Sequence, residues 1–254
     1  MIRFEHITKR LGGRNVLNDI SFDIKEGEIF VIVGPSGTGK SVSLKHMVRL
    51  MTPTSGTVWV GDEAISRAEG RKLERLREKF GYLFQGGALL GWMSVFDNVA
   101  LPLQEKTNLD NEEIAKRVNS VLEMVGLEHD GDKLPSEISG GMQKRAGLAR
   151  AIVREPRIVL YDEPTSGLDP VTARNIDKLI KNLSTELGVT SVVVTHDLQG
   201  ALAYATRIAM LHGGSLVELA TPEEFVKSKV PMVQEFLASQ FINRMHAGGK
   251  GGII

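Results

Sequence analysis

Among its 254 residues the chain has no cysteine, which excludes disulfides and thiolate metal sites and fits a reducing compartment. Neither sign of charge is in surplus: Lys+Arg and Asp+Glu each number 31, for a formal net charge of zero. Balanced charge offers no basic face of the kind nucleic acid needs, so no nucleic-acid partner is expected. Long apolar runs are missing too. Stretches such as Ile29-Phe30-Val31-Ile32-Val33 fall far short of the ~18 residues of a membrane span. The first residues, Met1-Ile2-Arg3-Phe4-Glu5-His6, carry charge where a secretory signal needs its apolar stretch. No internal repeat and no coiled-coil insertion stands out. The expectation is a cytosolic protein that reaches a membrane only through a partner.

What is present is ordinary for a globular protein: 42% hydrophobic and 24% charged residues, with length for one large domain or two small ones. Residues 2–8 and 20–24 alternate apolar and polar positions, as half-exposed strands do. Ile29–Val33, Ile158–Tyr161 and Ser191–Thr195 are continuous apolar runs that suit strands covered on both faces. Thr57–Val60 reads as a further short strand, and a helix is expected around Lys40–Leu50. The charged stretch Arg67–Lys79 reads as a solvated helix face. Asp110 with Glu113 predicts a capping box, and Ile114, Val118, Val121, Leu122 and Val125 trace one helical face before Gly126. Asp169-Pro170 predicts another helix start, carrying Ile176, Leu179, Ile180, Leu183 and Leu187. Strands alternating with helices imply an α/β fold with a mainly parallel sheet. The segment from about 86 to 155 is helix-rich and reads as an inserted subdomain. The end of the chain, Ala247-Gly248-Gly249-Lys250-Gly251-Gly252, reads as flexible.

Gly34-Pro35-Ser36-Gly37-Thr38-Gly39-Lys40-Ser41 follows a predicted strand and precedes a predicted helix, the context in which G-x-x-x-x-G-K-[ST] cradles phosphate. Glycines let successive N–H groups face the phosphates, and the helix N-terminus adds its dipole. Lys40 would pair β- and γ-phosphate oxygens, and Ser41 would place its hydroxyl on Mg²⁺. Ile158-Val159-Leu160-Tyr161-Asp162-Glu163 is a strand ending in two carboxylates. With a phosphate loop upstream, Asp162 would organise Mg²⁺ and Glu163 would polarise the attacking water; without one, the pair would read as a solvated loop. His196 ends another buried strand, where ligands of open α/β sheets gather, and could contact a γ-phosphate or the water. Gln85 follows Gly81-Tyr82-Leu83-Phe84 and could reach Mg²⁺ or water, although an isolated glutamine there would be an ordinary loop residue. Ser139 is a helix cap followed by Gly140-Gly141, an anion-binding helix start or simply a capped helix.

Together, in this order, the phosphate loop, Gln85, Ser139-Gly140-Gly141, Asp162-Glu163, Ser166-Gly167-Leu168-Asp169 and His196 resemble the ATP-binding-cassette (ABC) ATPase domain over nearly the whole chain. The resemblance implies a single domain over 1–254, with an antiparallel N-terminal β-subdomain beside the helical one and a C-terminal tail from about 236 to 254. It implies a head-to-tail dimer in which ATP lies between one copy's phosphate loop and the other's Ser139-Gly140-Gly141, with Leu168-Asp169 at the seam. More narrowly, Leu83-Phe84-Gln85-Gly86-Gly87-Ala88-Leu89, Val95–Leu103 and Ile138-Ser139-Gly140-Gly141-Met142-Gln143-Lys144-Arg145-Ala146 are similar to the ATPases of Mla-type phospholipid transporters. Met142 is the discriminating residue, since most ABC ATPases have glutamine there. This implies an integral membrane permease, an MCE-type lipid-binding protein, and a place on the cytoplasmic face of an inner membrane. The alternatives are an importer ATPase for another solute, such as a polar amino acid, and a soluble non-transport ABC protein. Two departures stand out. Leu11 occupies the place of an adenine-stacking aromatic, and Gly91-Trp92 replaces small polar residues. The charge-free stretch between Gln85 and Asp97 is either a groove for a permease helix or part of the helical core.

Overall fold

The structure is a computed structural model describing residues 1–247, with side chains through 240. Strands β1 (Ile2–Leu11) and β2 (Arg14–Ile24) form a long hairpin. β1 also pairs antiparallel with β4 (Ser55–Val60), which pairs with the short β5 (Glu63–Ala64), giving the order β2-β1-β4-β5. The expected alternation buries Ile2 and Phe4, then Ile20, Phe22 and Ile24, on one face. It breaks after Phe4, because the next buried residue is Ile7. The β1–β2 register shifts there and His6 takes φ 51°, as a bulge that inserts one residue requires.

The second sheet holds β3 (Ile29–Val33), β6 (Phe80–Leu83), β7 (Ile158–Asp162), β8 (Thr190–Val194), β9 (Arg207–His212) and β10 (Ser215–Ala220). Its order is β10-β9-β3-β8-β7-β6, parallel throughout except for the β9–β10 hairpin. The α/β expectation, a mainly parallel sheet with an antiparallel sheet built from the N-terminal strands, is met. β9 and β10 escaped the sequence reading. In β10 the residues up to Leu219 are half-buried, so the strand shows neither a dry run nor a strict alternation.

Every residue of β3, β7 and β8 is buried, and the two-residue period of a strand sends alternate side chains to opposite faces. Val31, Val33, Val159, Tyr161 and Val193 enter one core. Phe30, Ile32, Ile158, Leu160, Val192 and Val194 enter the other, shared with the antiparallel sheet. Helix α1 (Lys40–Met47) supplies Leu44 and Met47 to this second core, and α2 (Gly70–Arg77) supplies Leu73 and Leu76. The first core is covered by α3 (Val95–Lys106), α4 (Asn111–Met124), α5 (Gly140–Ile152) and α6 (Pro170–Glu186). The capping box at Asp110 and Glu113 forms as the spacing predicts, and Asp169 caps α6 with Pro170 at its first position.

Helices α7 (Leu198–Tyr204), α8 (Pro222–Val226) and α9 (Pro231–Ala247) complete the chain. Phe236, where the tail was expected to begin, lies inside α9. Its side chain is buried with Val233 and Leu237 in the first core, an apolar set spaced three and four residues apart, as a docked helix face requires. The glycine-rich segment after Ala247, expected to be flexible, lies outside the described residues.

Candidate functional site

The loop between β3 and α1 is shaped by two glycines that admit no side chain. Gly34 has φ 146°, and a Cβ there would stand 2.1 Å from the carbonyl oxygen of Leu211 in β9. Gly39 has φ 94°, and its Cβ would stand 2.6 Å from Leu17 Cδ2 and 2.7 Å from Val16 O in β2. The loop is thereby pinned between both sheets. Thr38 Oγ1 donates to Pro35 O at 2.8 Å. Gly39 caps α1 without a side-chain bond, and no acidic residue occupies the first turn. The unpaired N–H groups and the positive end of the helix dipole therefore face the loop, an arrangement suited to phosphate.

Lys40 is 6% exposed. Its Nζ donates to Gly34 O at 2.8 Å and Pro35 O at 3.0 Å, and lies 3.8 Å from Glu163 Oε1. Burial lowers its pKa, while the Glu163 and Asp162 carboxylates pull in the opposite direction.

One rung of the parallel sheet aligns Ile32, Val194 and Asp162 across β3, β8 and β7, bringing the strands' carboxyl ends together at the phosphate loop. Asp162 Oδ1 accepts from Ser41 Oγ at 2.6 Å, and Oδ2 accepts from Tyr82 OH at 3.4 Å. Glu163 takes φ 49°, and its N–H donates to Val194 O at 2.9 Å. Its Oε2 lies 2.7 Å from His196 Nδ1 and 3.3 Å from His196 N. The structure thus gathers Lys40, Ser41, Asp162, Glu163 and His196 into one cluster: two carboxylates, an ammonium group, an imidazole and a hydroxyl. Ser41 and Asp162 form a hard oxygen pair suited to a divalent cation. Among the described residues no group of three or more His, Cys, Asp or Glu could hold a metal. A cation here would complete its shell with oxygens of a bound phosphate and water, as Mg²⁺ prefers.

The hydrogen bond to Glu163 raises the pKa of His196 above its ordinary 6.5, against burial and the Lys40 charge. A raised pKa means that the stabilisation from this pair is fully present below pH 6.5 and is lost as pH rises through the folded value. The gap in melting temperature between the wild type and His196→Ala should therefore be largest below pH 6.5 and shrink as pH rises above it. A gap that is constant with pH would contradict the pairing.

Ser139, Gly140, Gly141 and Asp169 assemble elsewhere, at the N-termini of α5 and α6. Ser139 Oγ accepts from Met142 N at 3.3 Å, and Asp169 Oδ1 accepts from Val171 N and Thr172 N, each at 3.0 Å. A Cβ on Gly141 would stand 2.6 Å from Thr172 Cγ2, so the two helix starts are in close contact. A cavity of about 540 Å³ opens beside them, lined by Ser139, Gly141, Arg145 and Thr172. Gln85 belongs to neither cluster; it is exposed, two residues beyond β6.

The stretch after Gln85 divides between the two readings left open by the sequence. Val95 is fully buried in the first core, with Leu89 and Phe96 packed against it. Trp92 is 79% exposed. Buried Asn98 explains that exposure: its Oδ1 accepts from Leu90 N, and its Nδ2 donates to the carbonyls of Leu90, Met93 and Ser94. The loop bearing Trp92 is therefore built rather than loose. Leu11, at the end of β1, is 42% exposed. The sequence reading overlooked Lys144. Its Nζ reaches Glu163 O at 3.3 Å from α5; a lysine one helical turn past a glycine pair gives no local sign of burial.

The family model described as ABC transporter matches residues 17–166. A probable ribonucleotide transport ATP-binding protein, mkl, of Mycobacterium leprae is 42% identical over 93% of this chain and 68% of its own length. A methionine import ATP-binding protein, MetN, of Carboxydothermus hydrogenoformans is 42% identical over 87% of this chain and 66% of its own. The chain thus spans about two thirds of the length of these relatives. Among solved structures, the ATP-binding cassette MJ0796, a dimer in a post-hydrolysis state with ADP and Pi, superposes with a TM-score of 0.80 at 35% identity, covering 87% of this chain and 99% of that one.

Proposed function

Because this chain belongs to the ABC transporter family, in which it is an ATP-binding and ATP-hydrolysing subunit, we propose that it powers phospholipid movement between inner and outer membranes through a permease and an MCE-type lipid-binding protein. The observation that carries the catalytic part is the Glu163 carboxylate, held between Lys40 and His196. ATP would lie along residues 34–41, its phosphates facing the N–H groups and Lys40. Ser41 and Asp162, with Gln85 as a further contact, would hold Mg²⁺, whose charge offsets that of the phosphates. Glu163 would accept the proton of the attacking water, and His196 would keep that carboxylate oriented and contact the γ-phosphate.

Such a nucleotide would leave its far side open to a second copy. The open first turn of α5, Ser139-Gly140-Gly141, is suited to do so from a second copy, with Asp169 at the seam. The dimeric cassette MJ0796 supports this pairing.

The lipid cargo is supported by the likeness of Leu83–Leu89, Val95–Leu103 and Ile138–Ala146, with Met142, to Mla-type ATPases. A second reading, an amino-acid importer, is favoured by the relative named for methionine import. Among the described residues no helix is long and apolar enough to cross a membrane, and the Trp92 loop is the proposed seat for a permease helix. One experiment tests both points. The chain is expressed with its cognate permease, purified in mild detergent, and its co-purifying lipids identified. Wild type should retain permease, MCE protein and phospholipid, and Leu90→Glu with Trp92→Glu should lose the permease. Retention by that double variant would refute the docking site, and a complex lacking phospholipid and MCE protein would favour the importer.

A further inference from the structure

We propose that Lys144 is a positioning residue for hydrolysis, fixing the backbone of Glu163 and tying that carboxylate to the helix that begins Gly140-Gly141-Met142. The proposal rests on Glu163 being the group that activates water.

Lysine is almost never buried without a partner, yet Lys144 is 6% exposed in the middle of α5. Its Nζ donates to the carbonyl oxygen of Glu163 at 3.3 Å. Burial lowers its pKa, while the neighbouring Glu163 and Asp162 carboxylates pull in the opposite direction. Glu163 needs such support, because a φ of 49° is a conformation that non-glycine residues hold only when their surroundings impose it. Three main-chain contacts do so: Glu163 N to Val194 O at 2.9 Å, Ser166 N to Glu163 O at 3.2 Å, and Lys144 Nζ to that same oxygen. The first continues the β7–β8 ladder beyond Asp162 and the second is local to the turn. Of the three, Lys144 alone comes from a helix, and it sets the height of the Glu163 peptide relative to α5.

That helix is itself held along its length. Gln143 Nε2 donates to Pro135 O at 2.8 Å near its start. Toward its end, Arg150 donates to the carbonyls of Gly87 and Ala88, each at 2.8 Å, in the loop that follows Gln85. Gly147 lies so close to that loop that a Cβ would stand 2.9 Å from Gly87 O. A shift of the first turn of α5, such as a phosphate contact there would bring, is therefore passed along a rigid rod. Lys144 is the point on that rod that touches the catalytic strand. The residue links the start of α5, which faces a second copy's nucleotide, to the carboxylate that serves its own.

The test is steady-state hydrolysis by the full chain with Lys144→Met, which keeps the apolar stem and removes the donor. Turnover should fall about tenfold or more, as misplaced catalytic groups produce, while ATP affinity stays within about twofold. Lys144→Arg should restore most of the rate. In the Glu163→Gln background, Lys144→Met should add no further loss, because a residue acting through Glu163 is not additive with it. If the methionine variant does not fold, Lys144→Gln, whose amide falls short of the carbonyl, is measured instead with the same expectations. A turnover within twofold of wild type, parallel loss of ATP binding, or an equal further loss in the double variant would each overturn the proposal. If Glu163→Gln alone hydrolyses normally, it is the assignment of Glu163 that fails; if only the Lys144 variants are normal, the positioning role fails and Glu163 stands.

Discussion

Glu163→Gln should bind ATP within about twofold of wild type and hydrolyse it about 10²–10³-fold more slowly, the contribution of a positioned general base. The amide matches the carboxylate in shape, so the backbone bonds of residue 163 to Val194, Ser166 and Lys144 persist. What disappears is the ability to accept a proton from water, together with the charge that faces Lys40 at 3.8 Å and His196 at 2.7 Å. The proposed ATP contacts lie mainly with residues 34–41, so affinity should be spared. The two-copy form should accumulate with ATP, because hydrolysis is the step that would release it. Nucleotide titration, single-turnover hydrolysis and size-exclusion chromatography with and without ATP measure these three points. Near-normal single-turnover hydrolysis would remove Glu163 from the chemistry.

Gly34→Ala should be worse than its chemistry suggests, and far worse than Gly37→Ala. At Gly37, φ is 79° and a Cβ would meet nothing within 4 Å, so alanine incurs only backbone strain, of about 1–3 kcal/mol. At Gly34 the same kind of strain is joined by a Cβ placed 2.1 Å from Leu211 O. That neighbour is backbone, fixed by the pairing of β9 with β3, so the phosphate loop must move instead. Overpacking adds about 1–3 kcal/mol. Moreover, the displaced N–H groups are those that would meet phosphate. Gly34→Ala should melt well below Gly37→Ala and bind ATP at least about tenfold more weakly. Equal melting and equal affinity for the two variants would show that the loop yields more easily than its packing implies.

The parts of this protein that are legible in its sequence are those fixed by short-range chemistry. The capping box at Asp110, the Asp169-Pro170 start and the dry strands announce themselves through local rules, and so does the phosphate loop. Residues whose role depends on distant partners did not. Nothing near Lys144 or Arg150 in the sequence says that one ends on Glu163 O and the other on Gly87 O. Asn98 was equally silent, although its four hydrogen bonds organise the loop that lifts Trp92 into solvent. The docking of Phe236 was not legible either, because a helix of mixed composition followed by glycines gives no local sign of the core it meets. Ser139-Gly140-Gly141 lies between these cases: its cap is local, but its proposed use needs a surface that belongs to another molecule.

The rung that aligns Ile32, Val194 and Asp162 acts as a gauge. The strands that carry the phosphate loop and the two carboxylates are held at a fixed spacing by the peptide hydrogen bonds of the sheet, so side-chain changes in either core leave that spacing nearly constant. Any movement that couples hydrolysis to a membrane partner must therefore travel through the helices, against a sheet that stays still.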